Sequence, residues 1–370
     1  MRAPTVGRMR KPLEQYGGAL LHHSRWRELG FHARDLASPS FTTVFPGYRT
    51  PTDRPASLNA MGSVLQGRVL PGAVLSHSTA AVLWGIPLPL ALDRGVDMLR
   101  AGAVVGPDGV ERIPAIAPGE SLREGAQLPL LHARVGRGGS SGLGRGAVLH
   151  RLRDGPTASV GRLVVSSPSE VLRELASAIP LWDLVAAADG VIGPESPCAS
   201  ASPASLVDEI AEGRGRRGTP RALAALRLAR HRVRSPGETI FRLLLAEAGF
   251  PDPTLNHPVP DPITGGTKEI DLAWEEIGLG LEYDGDGHRL TKGQWRDDEE
   301  RRDELASRGW TLSRANAKDL YRPTRILLRI RRTMAERGLR VPDEARVRQV
   351  VVEVGRRQLT TRIARHHPRA

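Results

Sequence analysis

The feature that most constrains the fold is an alternation of helix and strand patterns over residues 235–338. A helix is predicted to begin at Ser235, with Pro236 in its first turn, and to end at Gly249, because proline favours helix starts and glycine favours helix ends. The later predicted elements are strands near 269–274 and 279–284, a helix over 294–308, a strand over 310–314 and a helix over 323–338. This α-β-β-α-β-α order predicts one α/β domain.

The 370-residue chain is 40% hydrophobic and 25% charged, which excludes collagen-like and wholly disordered proteins. At roughly 150 residues per domain, it is expected to form two or three domains. No window approaches the roughly 18 consecutive apolar residues of a membrane span, and the start lacks a secretory signal, so we expect a cytoplasmic protein without a membrane partner. The single cysteine, Cys198, excludes an internal disulfide and a multi-cysteine zinc site.

The net charge of +12 rests on arginine, since only four of the 53 basic residues are lysines. Two interpretations of this arginine excess are possible. Arginine binds phosphate oxygens, so the excess favours a nucleic-acid partner. Heavy use of Arg, Ala, Gly and Pro is equally typical of a GC-rich coding sequence. The distribution says more than the total, because residues 235–340 hold 17 basic against 19 acidic residues and the rest of the chain carries the positive charge.

Composition and pattern divide the chain into five regions, which together predict a multi-domain α/β protein. Residues 1–60 show the helix, helix, hairpin order of a winged helix, with Trp26, Leu29 and Leu36 facing its core. The other predicted regions are a mixed α+β region (61–193), a linker and basic helix (194–234), the α/β domain (235–340) and a basic tail (341–370). The glycine-rich run at 136–146 lacks the ending of a phosphate-binding P-loop and is predicted to be a loop.

Residues 214–234 contain eight arginines and no acid. A solvated basic helix would explain this pattern. Contact with a phosphate backbone would explain it equally well, and the absence of acidic neighbours favours that interpretation. The predicted nucleic-acid contacts in this segment are Arg216, Arg217, Arg221 and Arg227.

The hairpin in the α/β domain carries the candidate chemistry. If its turn is centred between Glu276 and Ile277, Asp271 lies opposite Glu282, with Cβ atoms about 5 Å apart. Two carboxylates at that distance repel each other, and a divalent cation would compensate because Mg²⁺ prefers oxygen ligands. Strand alternation places Asp284 on the same face as Glu282. His288 follows as a candidate acid, base or phosphate contact.

Each candidate also has a structural explanation. Glu238 completes a capping box with Ser235, which accounts for it without chemistry. Asp284 precedes a glycine, and Asp-Gly is a common turn pair. His288 is as well explained as an exposed loop residue, and the acidic run at 297–304 as a charged helix face.

Taken together, five segments resemble the domain-of-unknown-function relatives of very-short-patch-repair endonucleases, within the PD-(D/E)XK nuclease superfamily. The segments are SPGETIFRLLLAEAGFP (235–251), EIDLAW (269–274), LEYDGDGH (281–288), QWRDDEERRDELASRGW (294–310) and TLSR (311–314). The resemblance implies a restriction-endonuclease-like fold in which Asp271 and Glu282 bind the metal. It also implies that Glu238 is the acid of the first helix and that His288 is the histidine after the Asp-Gly.

Three further residues bear on this resemblance. Asp298 and Arg301 match the helix that follows the hairpin, and the resemblance implies that Arg301 contacts the nucleic acid. The position of the superfamily's lysine is occupied by Asp284.

The first half of the chain resembles AbiEi-type antitoxins in three places. These are the hairpin with PGYR (46–49), VLSHSTAAVLWGIP (74–87) and VVSSPSEVLRELA (164–176). The resemblance implies a winged-helix DNA-binding start and no catalysis in that half.

These observations lead us to expect a bacterial Mg²⁺- or Mn²⁺-dependent DNA endonuclease, in which metal-bound water attacks a phosphodiester. The alternative is a non-enzymatic regulator or antitoxin that keeps the nuclease fold as a DNA-binding module. A third interpretation is an RNA-processing enzyme. A toxin partner or a homodimer would fit the antitoxin-like half, and the sequence does not choose between them.

Overall fold

We analysed a computed structural model of the chain. It describes residues 12–89, 104–105, 111–112, 131–136, 143, 147–151, 155–194, 196, 198, 202–261, 265–284 and 303–355. The described residues form two compact units with mixed α/β structure. The first unit comprises the described residues up to 84, residue 104 and those of 131–174, and the second comprises 85–89, 105, 111–112 and the described residues from 175 onward. No helix in the described ranges is long and apolar enough to cross a membrane.

The first unit begins with two short helices and a three-stranded sheet. Its elements are β1 (Leu21–His22), α1 (His23–Glu28), α2 (Ala33–Leu36), β2 (Phe41–Phe45), β3 (Tyr48–Pro51) and α3 (Leu58–Val64). The sheet order is β1-β3-β2, with both pairs antiparallel. Trp26 and Leu36 are buried and Leu29 packs against them, as predicted. The helix, helix, hairpin order is therefore confirmed, although α2 is only one helical turn long.

A five-stranded mixed sheet completes the first unit. Its elements are β4 (Val74–Leu75), α4 (His77–Trp84), β7 (Leu131–Val135), β8 (Ala147–Arg151), β9 (Thr157–Val160), β10 (Leu163–Ser166) and α5 (Pro168–Leu175), in the strand order β8-β7-β4-β10-β9. Two further strands, β5 (Val104–Val105) and β6 (Glu111–Arg112), form a pair of their own. The hydroxyl of Ser167 accepts the Glu170 N–H at 3.3 Å and so caps the start of α5.

The second unit contains the predicted α/β domain. Its elements are α6 (Leu181–Ile192), α7 (Pro203–Glu212), α8 (Thr219–Leu228), α9 (Pro236–Ala248), β11 (Thr254–Pro260), β12 (Thr267–Trp274), β13 (Leu279–Asp284), β14 (Thr311–Asn316), α10 (Ala317–Tyr321), α11 (Thr324–Glu336) and α12 (Glu344–Val354). The sheet order is β11-β12-β13-β14, antiparallel except for the parallel β13–β14 pair. Helix α9 begins after Ser235 and ends at Gly249, as predicted.

Three predictions about the second unit need correction. Within the region 194–234, the Pro-, Ser- and Gly-rich residues 194–220 were predicted to be a flexible linker. Residues 203–212 instead form α7, and α8 begins at Thr219. Leu206 and Ile210 of α7 and Ala222, Ala225 and Leu226 of α8 are buried, so these helices have apolar faces that pack. The boundary between the two units lies near residue 174 instead.

The predicted basic tail is helical at its start. Val347 and Val350 of α12 are fully buried in the same core cluster as Phe241 of α9 and Leu327 of α11. The sequence pattern also missed β11, whose two prolines, Pro258 and Pro260, are unusual in a strand. This strand lies at the edge of the sheet, where a missing N–H is tolerated.

One buried ion pair holds the helices of the second unit together. Asp189 of α6 accepts hydrogen bonds from the Thr239 hydroxyl at 2.7 Å and from Arg242 at 3.2 Å, both on α9. It also accepts the Arg230 N–H at 2.6 Å, just after α8. Burial raises the pKa of the Asp189 carboxyl, so the hydrogen bonds and Arg242 are needed to keep its charge.

Asp189→Ala should therefore destabilise the second unit by about 3–5 kcal/mol, because it leaves the buried Arg242 guanidinium without this carboxylate. Asp189→Asn should cost less, since its amide oxygen still accepts hydrogen bonds. Hydrogen exchange of α6 and α9 amides measures the change. An equal loss of stability in Asp189→Ala and Asp189→Asn would contradict the role given to the negative charge of Asp189.

Candidate functional site

The register of the site hairpin agrees with the sequence prediction. Ala273 pairs with Gly280, and the flanking pairs are Leu272–Leu281 and Trp274–Leu279. The turn is a short 3₁₀ segment, Glu275–Ile277, closed by Gly278 at φ 54°. Continued by one step, this register brings Asp271 level with Glu282. The two predicted metal ligands thus lie on adjacent strands at the same level.

The carboxylate of Asp271 is held by the neighbouring strand. Its Oδ2 atom accepts the backbone N–H of Tyr283 at 2.7 Å. The Tyr283 ring lies against the start of α9, where a Cβ atom on Gly237 would come within 2.1 Å of the ring. A glycine at position 237 therefore allows the helix to approach β13 closely. The sequence prediction did not include either contact.

Glu282 and Asp284 have different surroundings. Glu282 pairs with Arg314 in the parallel β13–β14 ladder, and its Oε2 atom lies 3.7 Å from Arg314 Nε. Asp284 is exposed at the end of β13, beside Asn316. The repulsion expected between Asp271 and Glu282 is thus offset by groups of the protein itself, namely the Tyr283 N–H and the Arg314 guanidinium.

Glu238 is buried and has the capping role that the sequence also allowed. The Ser235 hydroxyl accepts the Glu238 N–H at 3.2 Å, and Glu238 Oε2 accepts the Arg234 N–H at 3.1 Å. The same oxygen accepts a hydrogen bond from the Asn256 amide at 2.9 Å. Asn256 has φ 45° and lies where the β11–β12 pairing skips from Leu255–Leu272 to His257–Ile270. The register is the same on both sides of Asn256, so this is a local change of backbone conformation opposite Asp271 and not a β-bulge.

A cavity of about 420 Å³ joins two of the predicted residues with several that sequence reasoning missed. Its described lining consists of Arg234, Glu238, Asn256, Thr267, Lys268, Glu269 and Asp271. Arg234 lies 2.7 Å from Glu269, and Lys268 lies 3.2 Å from the buried Asp261. Glu282 and Asp284 are not among the described lining residues. Strand spacing alone would have placed Glu269 near Asp271, two positions earlier on the same strand.

The described residues contain no group of three or more Asp, Glu, His or Cys side chains placed to hold a metal ion. The chemistry of Asp271 and Glu282 nevertheless fits Mg²⁺, which commonly binds one or two carboxylates and keeps several waters. His288, Asp298 and Arg301 lie outside the described residues, so their predicted roles stay predictions.

The four predicted phosphate contacts are not equivalent. Arg221 donates to the carbonyl oxygens of Ala176 at 2.7 Å and Ile179 at 3.1 Å, which are in the turn after α5. These hydrogen bonds give Arg221 a structural role that the sequence prediction did not include. Arg217 and Arg227 are exposed, and Arg216 is half-buried.

The first unit contains a polar cluster that sequence reasoning missed. The rings of His77 and His150 stack with centroids 3.6 Å apart, and His132 Nδ1 lies 2.9 Å from His150 Nε2. The backbone N–H of His77 donates to Glu174 at 2.7 Å, and the buried Arg134 lies 3.3 Å from the same carboxylate. The contributing residues come from α4, β7, β8 and α5, so no local motif could have indicated the cluster.

Burial changes the titration of this cluster. It lowers the pKa of His77 to about 2, helped by the neighbouring His150, His132 and Arg134, and it lowers the pKa of His150. Burial raises the pKa of Glu174. His77 and His150 are therefore neutral near pH 7, which agrees with the close packing of their rings.

Comparisons with known proteins give few relatives. No protein-family model matches the chain, and no solved structure matches it. The chain is 32% identical over 129 residues to the uncharacterized proteins MT2308 and Rv2248, from two strains of Mycobacterium tuberculosis. The matched stretch is 34% of this chain and 47% of those proteins, so the chain spans about half the length of the curated relatives it matches.

The histidine cluster predicts that the first unit loses stability in mild acid. A histidine whose pKa is lowered by folding binds protons more readily when unfolded, so its stabilising effect is complete above about pH 6.5 and declines as the pH falls below that value. Glu174 acts in the opposite sense, because its raised pKa favours the folded state as the pH falls towards 4.5. Because two histidines lower the stability of the first unit in this range and one glutamate raises it, we expect a net loss of folding stability between pH 6.5 and 5.

His77→Asn should reduce this pH dependence, because asparagine does not titrate and tolerates the φ of 51° at this position. Hydrogen exchange of first-unit amides at pH 7.5 and 5 measures the effect. His231→Asn, which removes an exposed histidine of the second unit, is the control. The same pH dependence in His77→Asn and the wild type would refute the prediction.

Proposed function

We propose that this protein binds DNA and hydrolyses its phosphodiester bonds with the help of Mg²⁺ or Mn²⁺ at Asp271 and Glu282. The observation that carries the proposal is the β12–β13 register, whose last pair is Leu272–Leu281 and whose continuation by one residue would bring these two carboxylates level with each other. Acidic side chains in this position are costly unless compensated, and hydrolysis of a phosphodiester by a divalent cation needs such oxygen ligands. The proposal also draws on the resemblance to PD-(D/E)XK nucleases.

The residues around the carboxylates suit this chemistry. The Tyr283 N–H fixes the orientation of Asp271, and Arg314 places a positive charge beside Glu282, where it can contact a phosphate. A bound divalent cation would polarise the phosphate and stabilise the charge that develops on it. Glu238 supports the cavity wall through Asn256 and the helix start. By the same resemblance, His288 would transfer a proton.

The first unit is proposed to contribute DNA binding, as in the AbiEi-type antitoxins it resembles. Its helix, helix, hairpin order is consistent with a winged helix. Arg216, Arg217 and Arg227 of the second unit are proposed as further contacts with the phosphate backbone. None of these contacts would read the base sequence.

A non-enzymatic DNA-binding regulator is the second candidate, and a specific observation favours it. Both carboxylates have partners in the protein, Tyr283 N–H for Asp271 and Arg314 for Glu282, so the site is electrostatically balanced without a metal. Asp284 also occupies the position where the superfamily has a lysine.

Metal-dependent melting separates the two candidates. Mg²⁺ or Mn²⁺ at millimolar concentration should raise the melting temperature, because a ligand at about 100 times its Kd adds about 2.7 kcal/mol. Asp271→Asn and Glu282→Gln should abolish the rise and change the metal-free stability by less than about 1 kcal/mol, because each removes one of two like charges on adjacent strands and keeps the shape of the side chain. Glu276→Gln makes the same chemical change at an exposed turn residue and should keep the rise.

Nicking of supercoiled plasmid by the full chain tests the chemistry itself. Cleavage that requires the metal and is lost in Asp271→Ala would support the nuclease. Metal-independent melting, together with no cleavage of any DNA or RNA, would reject it in favour of the regulator.

A further inference from the structure

The charge of the second unit is divided along its sequence. Residues 235–307 carry 7 basic and 17 acidic residues, whereas residues 308–340 carry 10 basic and only 2 acidic residues. The acidic part contains the candidate site, and the basic part consists of β14 and the helices after it. A substrate of negative charge would be repelled by the first part and attracted by the second.

Helix α11 presents its arginines on one face. Its buried face consists of Ile326, Leu327, Ile330 and Met334, which pack into the core. On the opposite side Arg325, Arg329 and Arg332 are exposed at the spacing i, i+4, i+7, so they form a row about 10 Å long. We call these three residues the α11 arginine row.

The other arginines of this helix and its end are used within the fold. Arg331 donates to the Pro342 carbonyl at 2.7 Å, and Arg337 donates to the Gly278 carbonyl at 3.0 Å. In the row itself, Arg332 Nε lies 3.9 Å from Glu336, but both side chains are more than 60% exposed, so water screens the pair. The row is thus the part of α11 whose charge faces solvent.

One residue of the row, Arg329, contacts the strand that carries Arg314. Arg329 donates to the carbonyl oxygen of Arg314 at 3.3 Å, and the Arg314 side chain lies 3.7 Å from Glu282. Helix α11 packs on the sheet face of Leu281 and Ala315, and strand alternation puts the side chains of Glu282 and Arg314 on the other face. A DNA strand that follows the arginines of α11 would therefore pass the edge strand β14 to reach Glu282. This path uses residues that the sequence analysis did not single out.

We infer that the α11 arginine row is a docking surface for the phosphate backbone of duplex DNA, which it leads to Glu282 and Asp271. This inference rests on the proposed function, because it assigns the substrate path of the same site. Arginine suits this role, since its planar group can bind two phosphate oxygens at once and stays charged at any physiological pH. Such contacts give affinity without sequence preference.

The test is binding of a fluorescent DNA duplex to the full-length protein, measured by anisotropy at several salt concentrations in EDTA. Without metal, binding is measured separately from cleavage, so failure of the nuclease chemistry does not affect the result. Replacing Arg325, Arg329 and Arg332 together by Gln should weaken binding and reduce the slope of log Kd against log salt by about 2–3, close to 0.9 per lost phosphate contact. Replacing all three by Lys should restore most of the slope.

The charge-matched control is the triple variant Arg308→Gln, Arg340→Gln and Arg348→Gln, which removes three exposed arginines elsewhere in the second unit. It should keep the wild-type slope. An unchanged slope in the α11 variant, or an equal loss in the control, overturns the inference. The same titration with a fluorescent RNA duplex is a further check, and a reduced salt slope in the α11 variant with RNA but not with DNA overturns the inference. Binding of an acidic protein in place of DNA overturns it as well.

Discussion

The packing of α6 against α9 depends on one buried carboxylate, that of Asp189. Asp189 receives a backbone N–H from Arg230, a hydroxyl from Thr239 and the guanidinium of Arg242, and so it connects α6, the residues after α8 and α9. A charge at this depth is tolerated only with such partners, because the cost of removing it from water is several kcal/mol. Removing any one donor would leave the others with an incomplete network. Three segments are therefore fixed relative to one another by polar geometry as well as by apolar contact.

The position of α9 in turn determines the candidate site. Its first turn carries Gly237, which admits the Tyr283 ring, and Glu238, which binds Asn256 at the interruption between β11 and β12. Tyr283 then offers its backbone N–H to Asp271. The cavity beside Asp271 is consequently framed by the start of a helix and by a strand irregularity. Neither would exist in this form if α9 were displaced by one turn.

Much of this arrangement could be predicted from local sequence. Ser235 and Gly249 mark the ends of α9, and the turn at Glu276–Ile277 sets the register that brings Asp271 level with Glu282. These predictions succeeded because caps and tight turns depend on neighbouring residues only. The winged-helix and nuclease assignments stay predictions.

The features that the sequence did not predict are those that depend on tertiary packing. Composition suggested a linker where α7 and α8 lie, because Pro, Ser and Gly obscure the i, i+4 spacing of the buried residues, Leu206 and Ile210 in α7 and Ala222 and Leu226 in α8. The cavity residues Arg234 and Glu269, and the histidines of the first unit, meet only through tertiary packing. No local pattern records a contact between distant segments, so such clusters are found only in the structure.

Arg314 connects the two proposals physically. Its guanidinium lies beside Glu282, and its backbone carbonyl accepts a hydrogen bond from Arg329 in the arginine row. A side chain only one-third exposed keeps more of its electrostatic strength than one in bulk water, because fewer water molecules screen it. The same charge that balances a carboxylate therefore attracts a phosphate that comes close to it. Arginine suits both contacts, since its five N–H donors lie in a fixed plane and point in several directions, whereas lysine has three donors around one compact charge.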